Sequence, residues 1–177
     1  MAYTYGTITH AKGRNGSTIS QYDVRLGYEL QSQDEETNTS IIKLQLEVRS
    51  TNSSYKTFGY NQTTTIDGTS LSADTFDMRN TNVWQIFGTR TITVNHDDDG
   101  EYSAEKTGSF TTTATGDYSL KSGSASVTVT LPTIQLQTIR IRVNGEWKKA
   151  FPYVRVNGEW KKAKAYIRVN NEWKKGK

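Results

Sequence analysis

The chain has 177 residues, no cysteine and a formal charge of +4. That length and composition exclude a large multidomain enzyme, a disulfide framework, a thiolate metal site and a cysteine nucleophile. Hydrophobic residues make up only 33% of the chain and no run approaches the roughly 18 apolar residues of a membrane-spanning helix.

The opening residues MAYTYGTITH have neither a basic region nor an apolar core, so no secretory signal is expected. The sequons at Asn15, Asn38, Asn52 and Asn61 therefore carry little weight as glycosylation sites. Tyr3–His10 is the first candidate strand, closed by the turn chemistry of Gly13–Gly16. Tyr22–Leu30 alternates more clearly, with Val24, Leu26, Tyr28 and Leu30 on one face. After a polar break at Gln33–Thr39, Ser40–Ser50 alternates strictly. There Ile42, Leu44, Leu46 and Val48 take the buried face, and Lys43, Gln45, Glu47 and Arg49 the wet one. Weaker candidates follow at Tyr55–Tyr60, Val83–Phe87, Thr89–Asn95 and Tyr102–Thr113, and Ser124–Leu131 closes the set. Asp67-Gly68, Asp97–Gly100 and Gly116-Asp117 separate them as turns.

No segment has apolar residues at helical spacing over helical length. Seven to nine short strands separated in this way predict an all-β domain: an antiparallel β-sandwich, jelly-roll or Ig-like, with two packed sheets. Pro132 is expected to end it, giving a β-sandwich domain over residues 1–133 and a basic hairpin segment over 134–177. The charge divides at the same place. Residues 1–133 carry ten Lys/Arg against fifteen Asp/Glu, and residues 134–177 carry twelve against three.

The basic segment is a threefold repeat, with units at 141–149, 154–162 and 167–175 that each read Ile/Val-Arg-Val-Asn-Gly/Asn-Glu-Trp-Lys-Lys. Asn-Gly between β-prone flanks is a strong hairpin signal, because a type I′ turn needs positive φ at both central residues. Asn144-Gly145 and Asn157-Gly158 meet that demand, and Asn170-Asn171 is a tolerable substitute. A two-residue loop fixes the pairing, so Arg142 faces Trp147, Arg155 faces Trp160 and Arg168 faces Trp173. Each guanidinium can then lie across an indole. The candidate ligand or assembly surface is Arg142, Trp147, Lys148 and Lys149, with Arg155, Trp160, Lys161 and Lys162, and Arg168, Trp173, Lys174 and Lys175. Such a surface suits a carbohydrate or an anionic polymer such as a teichoic acid. The plainer alternative is that the tryptophans pack hairpin on hairpin, with the lysines as solvated edges.

Catalytic chemistry is hard to find. His10 and His96 lie far apart in sequence, and His96 sits in Asn95-His-Asp-Asp-Asp-Gly100, read as a solubilising turn ahead of a calcium loop because the full ligand spacing is missing. No nucleophile elbow, phosphate loop or zinc motif occurs, no pair of carboxylates stands out, and neither cofactor nor metal is expected. Trp84, near Ile86 and Phe87, is expected in the core.

Three stretches together resemble a β-domain of siphophage minor structural and tail proteins from Gram-positive hosts such as streptococci. They are Asp67-Gly-Thr-Ser-Leu-Ser-Ala-Asp-Thr-Phe-Asp-Met-Arg79, Val94-Asn-His-Asp-Asp-Asp-Gly100 and Val127-Thr-Val-Thr-Leu-Pro-Thr-Ile134. The Val-x-Val-Asn-Gly-x-Trp-Lys units are similar to short repeats at the ends of phage tail and fibre proteins. The resemblance implies a non-enzymatic virion component, tail-associated, with a role in host-surface attachment. Its expected partners are other tail or capsid subunits and further copies of itself. Cell-wall carbohydrate binding through the repeats is the alternative, and nucleic acid ranks third because the acidic domain opposes a phosphate backbone.

Overall fold

The structure is a computed structural model that describes residues 2–116, 118–135, 139–163 and 165–175. Within these residues all regular secondary structure is β-strand, as the alternation predicts. The large sheet contains β1 (Thr4–Tyr5), β2 (Thr9–Lys12), β3 (Thr18–Asp34), β4 (Thr39–Ser50), β5 (Phe58–Ile66), β6 (Thr69–Ser70), β7 (Asp74–Asp77), β8 (Gln85–Asn95), β9 (Ser103–Thr112) and β10 (Ser122–Thr130). Its order is β6-β5-β9-β10-β2-β3-β4-β8, all antiparallel, with β1 beside β3 and β7 beside β5. Three hairpins follow: β11 (Ile139–Val143) with β12 (Glu146–Ala150), β13 (Tyr153–Val156) with β14 (Glu159–Lys162), and β15 (Tyr166–Val169) with β16 (Glu172–Lys175).

The two layers come from one continuous sheet folded back on itself. A Cβ on Gly108 of β9 would lie 3.0 Å from Leu26 of β3 and 3.1 Å from Leu46 of β4. One on Gly123 of β10 would meet Phe110 and, at 3.0 Å, Val24. Between the layers sit Val24, Leu26, Ile42, Leu44, Leu46 and Val48, all fully buried and all on the faces that the period-two pattern assigns inward. Each such side chain contributes about 1.5–3 kcal/mol on burial. Phe76, Phe87 and Phe110 extend this core, with ring centroids 5.3 Å and 4.8 Å apart along the series.

The long strands nearest the two ends of this order, β5 and β8, meet at a seam without a backbone ladder. Gln62 Nε2 and Thr64 Oγ1 of β5 each donate to the Phe87 carbonyl at 2.8 Å. From β8, Arg90 Nη1 donates to the carbonyls of Ile66 at 2.9 Å and Asp67 at 2.7 Å. Side chains thus satisfy carbonyls that an edge would leave open to another chain.

Several boundaries differ from the predicted ones. Tyr3–His10 is two strands, because Gly6 donates its N–H to Leu26 O and lies so tightly against β10 that a Cβ would come 2.0 Å from Ser126 O. Tyr55–Tyr60 shifts to Phe58–Ile66, where threonines supply β-propensity without apolar alternation. Val83–Phe87 and Thr89–Asn95 join into β8 across Gly88, with a bulge opposite Leu46/Glu47. The short strands β6 and β7 carry no alternation long enough to read. Asp117, half of the expected Gly116-Asp117 turn, lies outside the described residues.

His96 is buried and structural in its contacts. Its Nδ1 lies 2.8 Å from the Gly100 carbonyl and its Nε2 2.7 Å from Ser40 Oγ. A carbonyl only accepts, so Nδ1 carries a proton toward Gly100, while the serine hydroxyl can serve Nε2 as donor or acceptor. The Asp97–Gly100 turn is closed by Gly100 N–H to Asp97 O, and Asp97 Oδ1 accepts from the N–H groups of Asp99 and Glu101. The expected solvated loop is therefore pinned at its histidine. Gly100 has φ +78 and faces Ile134, whose N–H donates back to Gly100 O at 2.8 Å. Packing against the large sheet thus reaches Ile134, two residues past Pro132.

Candidate functional site

The hairpins have the register that their two-residue loops dictate. Arg142 pairs with Trp147, Arg155 with Trp160 and Arg168 with Trp173. The turn residues all have positive φ, at 52 and 87 for Asn144 and Gly145, the same for Asn157 and Gly158, and 51 and 66 for Asn170 and Asn171. Arg142 Nε donates to the Gly145 carbonyl at 3.1 Å and Arg155 Nε to that of Gly158 at 3.2 Å, so the first two arginines brace their own turns. In the third, the Arg168 guanidinium lies 5.9 Å from the Trp173 ring centroid.

Trp147, Trp160 and Trp173 are 64%, 68% and 68% exposed, so each indole offers its surface to solvent. Lys148 and Lys161 are also exposed. Lys149, Lys162, Lys174 and Lys175 stand on the same strands, with side chains outside the described residues. No ladder joins one hairpin to the next among the described residues, so the repeats bring together each Arg/Trp pair but not the three pairs into one sheet.

A second cluster escaped sequence reasoning. Gln45 and Glu47, assigned to the wet face of β4, are buried, as is Asp23 on β3. Trp84 causes part of this, and it corrects the expectation that this residue belongs to the core. It lies half-buried over the outer face of β3 and β4, 3.9 Å from the Arg25 guanidinium and 4.6 Å from that of Arg49. Arg25 is capped on another side by the Tyr5 ring at 3.6 Å, and its Nε donates to Glu47 Oε2 at 2.6 Å. Gln45 Nε2 donates to Glu47 Oε1 at 2.7 Å. Arg49 Nε and Nη2 both reach Asp23 Oδ2 at 2.9 Å, and His10 Nδ1 lies 3.2 Å from Asp23 Oδ1. Burial, then the Glu47 carboxylate, pushes the Tyr5 phenol above its ordinary value. Both carboxylates are engaged as acceptors by arginine, so the arrangement locks the N-terminal strand and the Trp84 segment onto the sheet. The signal was present as Asp23-x-Arg25 and Glu47-x-Arg49. Opposite charges meet only once the β3/β4 register is known.

A third feature is a groove of about 470 Å³ at the mouth of the β5/β8 seam. Phe58, Asp74, Asp77, Arg79, Gln85 and Ile86 line it. Gly59, at φ +73, sits in a bulge of β5 opposite β7, and neighbouring Phe58 is 47% exposed. Arg79 lies over the Phe58 ring at 4.5 Å and is clamped by Asp77, with Nε donating to both carboxylate oxygens at 2.9 Å. Those hydrogen bonds hold the Asp77 carboxyl down at about 2. Asp74 makes a hydrogen bond to the Thr75 N–H and has no ion pair among the described residues. Ile86 is 59% exposed.

Residues 14–171 match the family described as "Siphovirus protein of unknown function (DUF859)", and with that coverage the chain belongs to this family. Neither the curated proteins nor the solved structures contain a match. The family accords with the phage resemblance of the three motif stretches and says nothing of the host.

Proposed function

We propose that this member of a siphovirus protein family is a non-enzymatic virion structural protein, tail-associated, that contributes to attachment at a Gram-positive host surface. In this reading residues 1–133 form the scaffold and residues 134–177 carry the contacts. The observation that carries it is the threefold hairpin, each unit presenting an exposed tryptophan next to lysine and arginine. Isolated two-stranded hairpins are marginal in water, and a chain that repeats one three times with its indoles outward is built for a partner. The flanking cations favour an anionic one.

Immunogold labelling and mass spectrometry of purified virions test the first part. The protein is expected on the particle, at the tail, and its absence from particles ends the reading. Retention on purified host cell walls tests the second part. Full-length protein with Lys148, Lys149, Lys161 and Lys162 changed to Glu is expected to lose salt-dependent retention. The exposed indole faces also favour wall carbohydrate as the ligand, since aromatic rings stack on flat apolar faces. If so, Trp→Ala changes at 147, 160 and 173 would release the protein where the Lys→Glu changes would not.

A further inference from the structure

The groove between β5, β7 and β8 and the three hairpins are complementary in charge and in surface. In the groove, Arg79 is neutralised by Asp77, which leaves Asp74 as the charge without an ion pair among the described residues, beside the exposed apolar surface of Phe58 and Ile86. An anionic polymer is repelled by such a site, and a cationic aromatic segment is attracted. The chain supplies that segment three times over, in hairpins whose tryptophans are 64–68% exposed and whose region holds twelve Lys/Arg against three Asp/Glu. The remaining residues carry ten against fifteen, so the long-range field favours the same encounter.

We infer that the groove is the docking site for a C-terminal hairpin of a second copy of this chain, the indole resting on Phe58 and Ile86 and a lysine facing Asp74. The groove volume of about 470 Å³ falls in the range of about 300–1,000 Å³ that clefts for single ligands occupy. The contact is heterologous, because the two surfaces lie on different parts of the chain. It therefore propagates into a ring or an open row of subunits instead of closing as a twofold dimer. Three hairpins per groove leave two on each copy for other contacts. The inference rests on the proposed function only in treating the hairpins as contact elements.

Two full-length variants test it. Asp74→Lys with Ile86→Glu disables the groove at two exposed positions, outside the core. Trp147→Ala with Trp160→Ala and Trp173→Ala disables the hairpins. In sedimentation velocity, the wild type is expected to form species larger than a dimer as concentration rises, and to lose them in high salt. Each variant alone is expected to stay monomeric at concentrations ten-fold above the wild-type midpoint. Mixed, the intact hairpins of one and the intact groove of the other restore a bounded complex, from one to three groove-bearing copies on each hairpin-bearing copy, that cannot grow further. A wild type that is monomeric throughout, a groove variant that associates as the wild type does, or a mixture that stays monomeric each overturns the inference. Virion labelling is measured separately, so absence from the particle would end the proposed function without touching this result.

Discussion

The large sheet and the hairpins are both antiparallel β-structure with period-two alternation, and they use it in opposite senses. In the sheet, the apolar face is covered by the folded-back layer, and part of the polar face is covered too, by Tyr5, Trp84 and two arginines. In the hairpins the aromatic residue of each unit faces solvent and the register is set by a two-residue turn alone. The sheet is stabilised by contacts distant in sequence, whereas each hairpin is complete within about a dozen residues. Stability and recognition are thereby separated along the chain, and substitutions on the two sides should differ in kind.

The largest difference is expected from Arg25→Ala set against Trp160→Ala. Removing the guanidinium leaves Glu47, 5% exposed, without its cation and uncovers the Tyr5 and Trp84 rings. Breaking a buried pair from one side costs about 3–5 kcal/mol, so chemical denaturation should show a large loss. Trp160→Ala removes an exposed ring and should stay within about 0.5 kcal/mol. Similar losses in the two variants would mean that the hairpins pack on the sheet domain in solution, which breaks the comparison.

Thr64→Val probes the seam more gently. It removes the Thr64 hydroxyl, whose single proton is shared between Phe87 O and Gln62 Oε1. With the acceptors still buried, about 1–3 kcal/mol should be lost on thermal or urea unfolding. Since the seam blocks an edge, the variant should also aggregate sooner during unfolding, read by light scattering.

How much of this was legible in the sequence follows the same division. Hairpin register needs only the chirality of the turn, so Arg142/Trp147 and its two equivalents could be paired from the sequence. Strand existence and the inward face of β3 and β4 needed only alternation. Strand order did not follow, because the pairing of β5 with β9, or of β2 with β10, joins distant segments with no local code. Trp84 was misread for the same reason. Its neighbours Ile86 and Phe87 look like core, yet what places it is Arg25 and Arg49, far away in the chain. The groove was illegible because it exists only where β7 and β8 converge.

A local change in a hairpin should stay local. Asn157→Val places a β-branched residue at φ 52, a conformation that costs an L-residue about 1–2 kcal/mol. In a marginal hairpin that is enough to open it. Amide exchange should accelerate over residues 153–162 and remain unchanged within β3 and β4. Slowed or unchanged exchange in the hairpin would show that a partner, not the turn, sets its structure.

The smallest effect concerns an exposed pair in the sheet domain. The Asp77 carboxyl is lowered from 3.8 to about 2, first by hydrogen bonds from the Arg79 side chain and then by the Arg79 backbone N–H. A lowered folded value means that the clamp contributes when pH is above the ordinary carboxylate value and fades as pH falls through about 2. Because the pair is solvent-exposed, global melting should hardly register it. A carbon-detected NMR titration of Asp77 should, with a midpoint near 2 that returns toward 3.8 in Arg79→Gln. An ordinary midpoint in the wild type would mean that the clamp stands open in solution. Arg79 would then no longer be held over Phe58, and the groove, its net charge unchanged at neutral pH, would lose the fixed geometry beside Asp74 that receives a cationic hairpin.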